Sequence, residues 1–530
     1  MGKTGNFNLN FPGAQIVCDS EEKRTAVKDF LNGKSNSIEI ALAHDNSEED
    51  IQRAVFNTTY LHEGKHLHDH LVCPMLLHNY TLKLTALFYS SLAMQQWQNG
   101  NQPYKYIPLP FTTWIELSEE KKLELIRNKG ISTSDVPMFS LQDAAYLMDG
   151  HFECDNIFTR ALLLAALHYS EYECNVYQNS PDGYNTELSV RTFTESMAYV
   201  QQVTEMAIRY DSYGESLHQK ILNDSFKHFM KLGSLKRDSN TDISSHDYIG
   251  YSVYTAAFTM IWRYVKQTNI NPNYTYPFIS YVLFWALSGN VLLDQKQAVF
   301  PRNRLERLFN LDYMGIDLAL NNDANLRELF QHPVQTFQKW DEYIGSAYAG
   351  TNINILSAGS TFGVGVSSTP VDFNQLYNKF MHSYMGMVQH LASVGLSKPA
   401  NYIYSIANAA FYMTNSFKEN PSQYLYPEAY SNHLAEFVNV PFRIEFQSIA
   451  PITREECSSV RKGVAFKGKY IYGNSFKDID NANIPTLDWS LYVDAVDYLD
   501  FTDALFGKST MNLRGSKVKN NLPGIKPWLF

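Results

Sequence analysis

The run Leu61-His62-Glu63-Gly64-Lys65-His66-Leu67-His68-Asp69-His70 holds a dense set of side chains able to do chemistry. Its spacing matters more than its count. His62 and His66 lie four apart, so on a helix their imidazoles are neighbours and can reach one metal ion. Glu63 sits about 100° round the helix from His62. From there its carboxylate can hydrogen-bond water at the metal and take its proton as general base.

These residues need a helix to hold them. Ser47, followed three residues later by Asp50, reads as an N-cap with an acidic first turn that suits the helix dipole. The helix should run from about Glu48 to Val72 and stop near Pro74. On a helical wheel Ile51, Val55, Thr58, His62, His66 and Asp69 fall within about 40° of His62, so both histidines continue an apolar face. His70 lies close to that stripe, while His68 points away and is expected to face solvent. The plainer alternative is a polar, partly exposed helix with a chance histidine cluster. Against it, two histidines and an aspartate on a buried face would need other partners if no ion were there. The preceding segment Ser37 to Ala43 alternates Ile38, Ile40 and Leu42 on one side, a half-buried strand pattern.

HEGKH at 62–66 resembles the HExxH of the zincin-like metallopeptidases. A second segment, Ser189 to Ala198 (SVRTFTESMA), looks like the later helix that supplies a glutamate ligand in the gluzincin branch. The resemblance covers about fifteen residues. It implies Zn²⁺ held by His62, His66 and Glu195, with Glu63 as general base in the hydrolysis of peptide bonds. It also implies an edge strand near the active helix, here Ser37 to Ala43, that pairs with extended substrate. Asp69 and His70 are candidates to orient a ligand imidazole. His246, Tyr248 and Tyr251 are candidate oxyanion donors. Glu195 lies among Phe193, Met197 and Val200, where a carboxylate needs a metal or a cation. One feature departs from the pattern: 129 residues separate His66 from Glu195, more than familiar gluzincins use. The third ligand therefore stays open to Asp69, His151, His168, Glu171 and Glu173.

Other chemistries compete for the same residues. His68-Asp69 with His44 is the kind of set HD-type phosphohydrolases use. Glu63 to His66 is an ExxH, as in di-iron bundles, but no second such pair appears downstream. A non-enzymatic helical scaffold or interaction protein is the third alternative.

The rest of the chain sets limits. With 530 residues, 45% hydrophobic and 14% aromatic, it can bury large cores, and dominant disorder is excluded. The net charge of −10 argues against nucleic-acid binding over a broad basic surface. Cys18, Cys73, Cys154, Cys174 and Cys457 show no CxxC spacing, which suggests reduced thiols in a cytoplasmic protein. Any metal must then be held by histidine and carboxylate. The start has no apolar run of signal-peptide type and no serine or threonine at Asn6 for myristoylation. The most apolar stretch, Tyr276 to Leu293, is interrupted by Pro277 and Gly289 and reads as a buried helix rather than a membrane span.

Helical patterns continue at Met75–Gln98, Ser118–Asn128, Phe152–Tyr177, Ser189–Tyr210, Gly214–Leu232, Tyr251–Val265, Phe278–Leu293, Arg302–Leu311, Phe373–Val394 and Pro399–Phe417. Gly100 to Pro110 reads as a loop. Polar breaks at Gly233–His246 and Lys418–Asn432 divide the chain. The Gly/Ser-rich stretch Leu356–Pro370 lacks the Gly-Lys-Ser/Thr of a phosphate loop. Strand signals gather at Phe442–Ile449, Gly463–Tyr472 and Trp489–Val493. The expected architecture is mainly α within an α+β chain. Residues 1–235 form a zincin-like catalytic domain, 236–420 a helical domain and 421–530 an α/β region. The expected partners are a protein or peptide substrate, with no nucleic acid and no membrane. An oligomeric or regulatory partner is left open.

Overall fold

Ser47 starts the helix that carries the histidines. Its Oγ accepts the Asp50 amide at 3.2 Å, and Glu48, Glu49 and Asp50 occupy the first turn. This helix, α2, spans Glu48–Val72, as its cap and the following proline predict. A computed structural model of the chain describes residues 5–8, 13–16, 20–31, 34–35, 38–43, 45, 47–177, 188–210, 272–289, 300–310, 373–393, 444–446, 450–455 and 470–472, with parts of 256–265 and 336–341. The expected helices at 214–232 and 399–417, the polar breaks, the Gly/Ser-rich stretch and the strand at 489–493 lie outside the described residues.

The described chain is mainly helical. A short helix α1 (Glu21–Leu31) precedes α2. At Cys73 the backbone turns extended, and Pro74 opens α3 (Pro74–Gln98), where its missing N–H loses no helical bond. The small helices α4 (Phe111–Glu116), α5 (Glu119–Lys129) and α6 (Leu141–Met148) lead to α7 (Ile157–Tyr177). Helix α8 (Val190–Tyr210) returns along α2. Further on come α9 (Pro272–Ala286), α10 (Pro301–Asn310) and α11 (Phe373–Ser393).

Two packing centres result. Helix α3 lies between α7 and α11. Its face toward α7 builds an apolar core with Met94, Trp97, Phe111, Trp114, Phe158 and Leu162. Helix α2 packs on α8, and Leu42, Ile51, Ala54, Val203, Met206 and Tyr210 bury one another there. A hairpin of β1 (Gly5–Asn8) and β2 (Gly13–Ile16) also lies against α2. From Phe56 to Asp69 nearly every described side chain of α2 is buried. A helical wheel predicts one polar face toward solvent, but that face is covered too.

Helix α9 is the apolar stretch, and Phe278, Ile279 and Tyr281–Leu287 are all fully buried. It packs on α8 and α10. A buried cation closes this region: Arg304 Nη2 donates to Asp341 Oδ1 at 2.7 Å and to the Trp285 carbonyl at 3.1 Å. No helix of the described residues is long and apolar enough to cross a membrane.

Part of the expected loop at 100–110 is a strand. β3 (Ile107–Leu109) pairs antiparallel with β5 (Ala450–Ile452), Ile107 opposite Ile452 and Leu109 opposite Ala450. The two prolines of this short ladder, Pro108 and Pro451, oppose each other and read locally as strand breakers. β4 (Ile444–Phe446) pairs with β6 (Tyr470–Tyr472), within the strand-rich region expected near the C-terminus.

The segment 38–43 keeps its predicted alternation but pairs with no strand among the described residues. Ile38, Ile40 and Leu42 are buried, while Glu39, Ala41 and Ala43 are exposed. Its floor is α2 itself. Asn57 Oδ1 accepts the Ile40 amide at 2.8 Å, and Asn57 Nδ2 donates to the Ile40 carbonyl at 3.2 Å. Asp50 Oδ1 accepts the Ala43 amide at 2.6 Å. The segment therefore runs antiparallel along α2, held by side chains instead of a neighbouring strand. Asn57 Nδ2 also donates to the Tyr210 hydroxyl at 2.7 Å, which ties α8 to the same point. Asn57→Ala should leave buried backbone groups of Ile40 unpaired and cost about 1–3 kcal/mol. Urea denaturation of the variant would show this, and an unchanged midpoint would mean the clamp does not matter.

Candidate metal centre

Two helices build the site. Ser189 Oγ accepts the Thr192 amide at 3.4 Å at the start of α8. Ser196 and Ala198 are fully buried and small, which lets α8 approach closely. Gln202 Nε2 donates to the Val55 carbonyl and to Thr58 Oγ1, each at 3.3 Å. As α8 is followed back from Tyr210 through Gln202 to Glu195, its partners on α2 advance from Asn57 to His66. This antiparallel register sets Glu195 between the two histidines.

The geometry is convergent. Glu195 Oε2 lies 3.4 Å from His62 Nε2 and 3.4 Å from His66 Nε2. The three candidate ligand atoms all fall within 4.8 Å of one another. The imidazoles meet edge to face, with centroids 4.9 Å apart. Charge-assisted N–H···O bonds are about 2.7–2.9 Å long, so these atoms stand wider than a shared proton needs. His62, His66 and Glu195 could hold a metal ion. Glu63, next to His62, is buried at 5% exposure.

The electrostatics follow from burial and pairing. Burial opposes ionisation of Glu195, but His66, His62 and Arg191 outweigh it and hold the carboxyl well below its ordinary range. Burial likewise disfavours charge on His66, yet Glu195, with Glu63 and Asp69 behind it, raises the imidazole above its ordinary value. The carboxylates around His66 thus favour positive charge at this point. Among the described residues, the buried His62 Nδ1 has no hydrogen-bond partner.

A second polar set on α2 lies beside these residues, with Asp69 on the same stripe as the two histidines. Lys65 Nζ lies 2.7 Å from Asp69 Oδ1 and 3.4 Å from His68 Nδ1, and all three residues are nearly inaccessible. His68 is therefore buried, contrary to the expectation from the wheel, because α2 has no solvent face at this depth. Burial and the Lys65 ammonium push the His68 imidazole down to about 4. Neutral His68 accepts from Lys65 at Nδ1. Burial works against Asp69 ionising, but Lys65 and His68 bring its carboxyl below the ordinary value. His70 is likewise lowered to about 4, by burial first. His70 Nδ1–H donates to the His66 carbonyl at 2.6 Å, so it supports a candidate ligand residue through the backbone.

Of the rival third ligands, Asp69 is paired with Lys65, and the others lie elsewhere. His168 stacks on Tyr89 with centroids 6.0 Å apart. Glu171 is half-exposed and 4.0 Å from His78. His151 is exposed, and Glu173 is buried on α7. Among the described residues, Glu195 is the carboxylate that joins His62 and His66. Much of the 129-residue spacing is taken up by α3 to α7, which fold around their own core. His44, His246, Tyr248 and Tyr251 lie outside the described residues. Two residues were not foreseen: Lys65, and Arg191, whose Nε is 3.6 Å from Glu195 Oε1. Both pairs, Lys65–Asp69 and Arg191–Glu195, carry the i,i+4 spacing that could have flagged them. No protein-family model, curated protein or solved structure matches the chain.

Lys65→Met should destabilise the fold by about 3–5 kcal/mol, because it leaves Asp69 buried and uncompensated. Chemical denaturation checks this, and a loss under about 1 kcal/mol would refute it. The pH dependence has a definite sign. His68 titrates near 4 in the fold and at 6.5 ordinarily, so between those values the unfolded chain binds the extra proton. Its contribution is present above about pH 6.5 and lost as the pH falls toward 4. His68→Gln should flatten that acid loss by up to roughly 3 kcal/mol. An equal slope in wild type and variant would contradict it.

Proposed function

We propose that the protein is a zinc-dependent metallopeptidase, with His62, His66 and Glu195 as metal ligands and Glu63 as general base. The observation that carries this reading is the pair of 3.4 Å separations from Glu195 Oε2 to the two histidine Nε2 atoms. Ligands placed tetrahedrally at about 2.0–2.1 Å from zinc stand roughly 3.3–3.4 Å apart. The donor set of two imidazoles and one carboxylate is that of catalytic zinc with a fourth position open. Ligand histidines usually donate their second N–H, and among the described residues nothing yet accepts from His62 Nδ1.

When bound, zinc supplies Lewis acidity that acidifies water and polarises a carbonyl. The chain's own residues do the rest. Glu63, buried beside His62, accepts the proton from the attacking water and passes it to the departing amine. The segment 38–43 offers a place for extended peptide. Asn57 engages the Ile40 backbone on the edge toward α2, and alternate residues of an extended chain aim their amides at opposite edges. Ala43 also turns its amide to α2, so the alternation does not run through the whole segment, and the exposed residues Glu39 and Ala41 are where a peptide can add as a strand.

The HD-type alternative fits less well. The His68-Asp69 doublet already holds a cation, the Lys65 ammonium at 2.7 Å from the carboxylate.

Metal analysis of the purified protein should find about one zinc per chain. His62→Ala should lose it. Glu63→Gln should keep the metal and lose about 10²–10⁴-fold in peptide hydrolysis. Full activity in Glu63→Gln, or unchanged zinc in His62→Ala, would overturn the assignment.

A further inference from the structure

Arg191 has no role in the mechanism above, yet it touches the third ligand. It stands in the first turn of α8, one turn before Glu195. That is a poor place for a cation, since helix N-termini favour negative charge. The order is also the weaker one for a helical ion pair, which prefers the acid first. The arginine side chain is 29% exposed, so simple pairing there contributes little to stability. Helix energetics thus give no reason for an arginine at 191. The site does. The two oxygens of Glu195 have separate partners: Oε2 faces both histidines, and Oε1 faces Arg191 Nε at 3.6 Å.

We infer that Arg191 is a positioning residue that engages Oε1 and so presents Glu195 to the metal through Oε2 alone. The inference rests on the zinc reading of the site. A carboxylate with both oxygens free can close on a metal through two bonds and fill the position that water needs. A guanidinium on one oxygen prevents this, and it fixes the rotamer of the carboxylate before the metal arrives. Partners of this kind behind a ligand typically change metal affinity 10–100-fold.

The test compares wild type with Arg191→Met, Arg191→Gln and Arg191→Lys in the full-length chain. Zinc affinity is read by competition with a chromophoric chelator, and cobalt substituted for zinc reports coordination number by its visible absorption. Arg191→Met should shift zinc affinity about tenfold. Its cobalt spectrum should weaken, as it does when a four-coordinate ion gains a fifth bond. Arg191→Lys, which keeps the charge, should fall between the two. Thermal unfolding of the metal-free proteins separates these effects from misfolding, and Arg191→Gln carries the comparison if Arg191→Met does not fold. If wild type holds zinc and the neutral variants match it in affinity and spectrum, the inference fails alone. If wild type holds no zinc, or no more than His62→Ala, the zinc reading fails and takes the inference with it.

Discussion

A helix buried on every side that still carries His62, Glu63, Lys65, His66, His68 and Asp69 is the constraint on which this structure depends. Bulk water reaches those groups little at that depth, so most of their polar atoms must be met by protein or by an ion. The fold separates them into two sets. In one, Lys65, His68 and Asp69 satisfy each other within α2. In the other, His62 and His66 turn toward α8 and meet a carboxylate from it. The first set is internally neutralised. The second gathers three donors around a point where a cation fits.

The register of α8 on α2 makes the second set possible. Asn57 with Tyr210, Thr58 with Gln202, and the apolar cluster around Ala54 and Met206 lock the two helices antiparallel. Slipping α8 by one turn would carry Glu195 about 5.4 Å along the pair, beyond reach of both imidazoles at once. The same lock involves the extended segment through Asn57. The candidate peptide-binding edge and the candidate metal ligands therefore share one framework.

Legibility in the sequence followed the range of the interaction. The Ser47 cap, the break before Pro74 and the four-residue spacing of the histidines are local, and each appears in the structure as read. The alternation at 38–43 correctly marked one-sided burial, but it could not say that the buried side rests on a helix. The wheel placed His62 and His66 correctly and misjudged His68, because periodicity shows how residues are distributed round a helix and not how many sides are covered. β3 has no local strand signal, because its partner, Ala450–Ile452, lies far along the chain and both strands contain proline.

What the sequence determined by itself is the chemistry on offer: two imidazoles and a carboxylate at helical spacing, a capped helix to hold them, and no cysteine pattern to compete for a metal. Only the tertiary structure decided which distant acid completes the set, that Arg191 stands behind it, and that Lys65 occupies Asp69. The physical reason is that spacing within one helix is fixed by backbone geometry. The meeting of His66 with Glu195 depends instead on how two helices pack, which residues across both of them decide together.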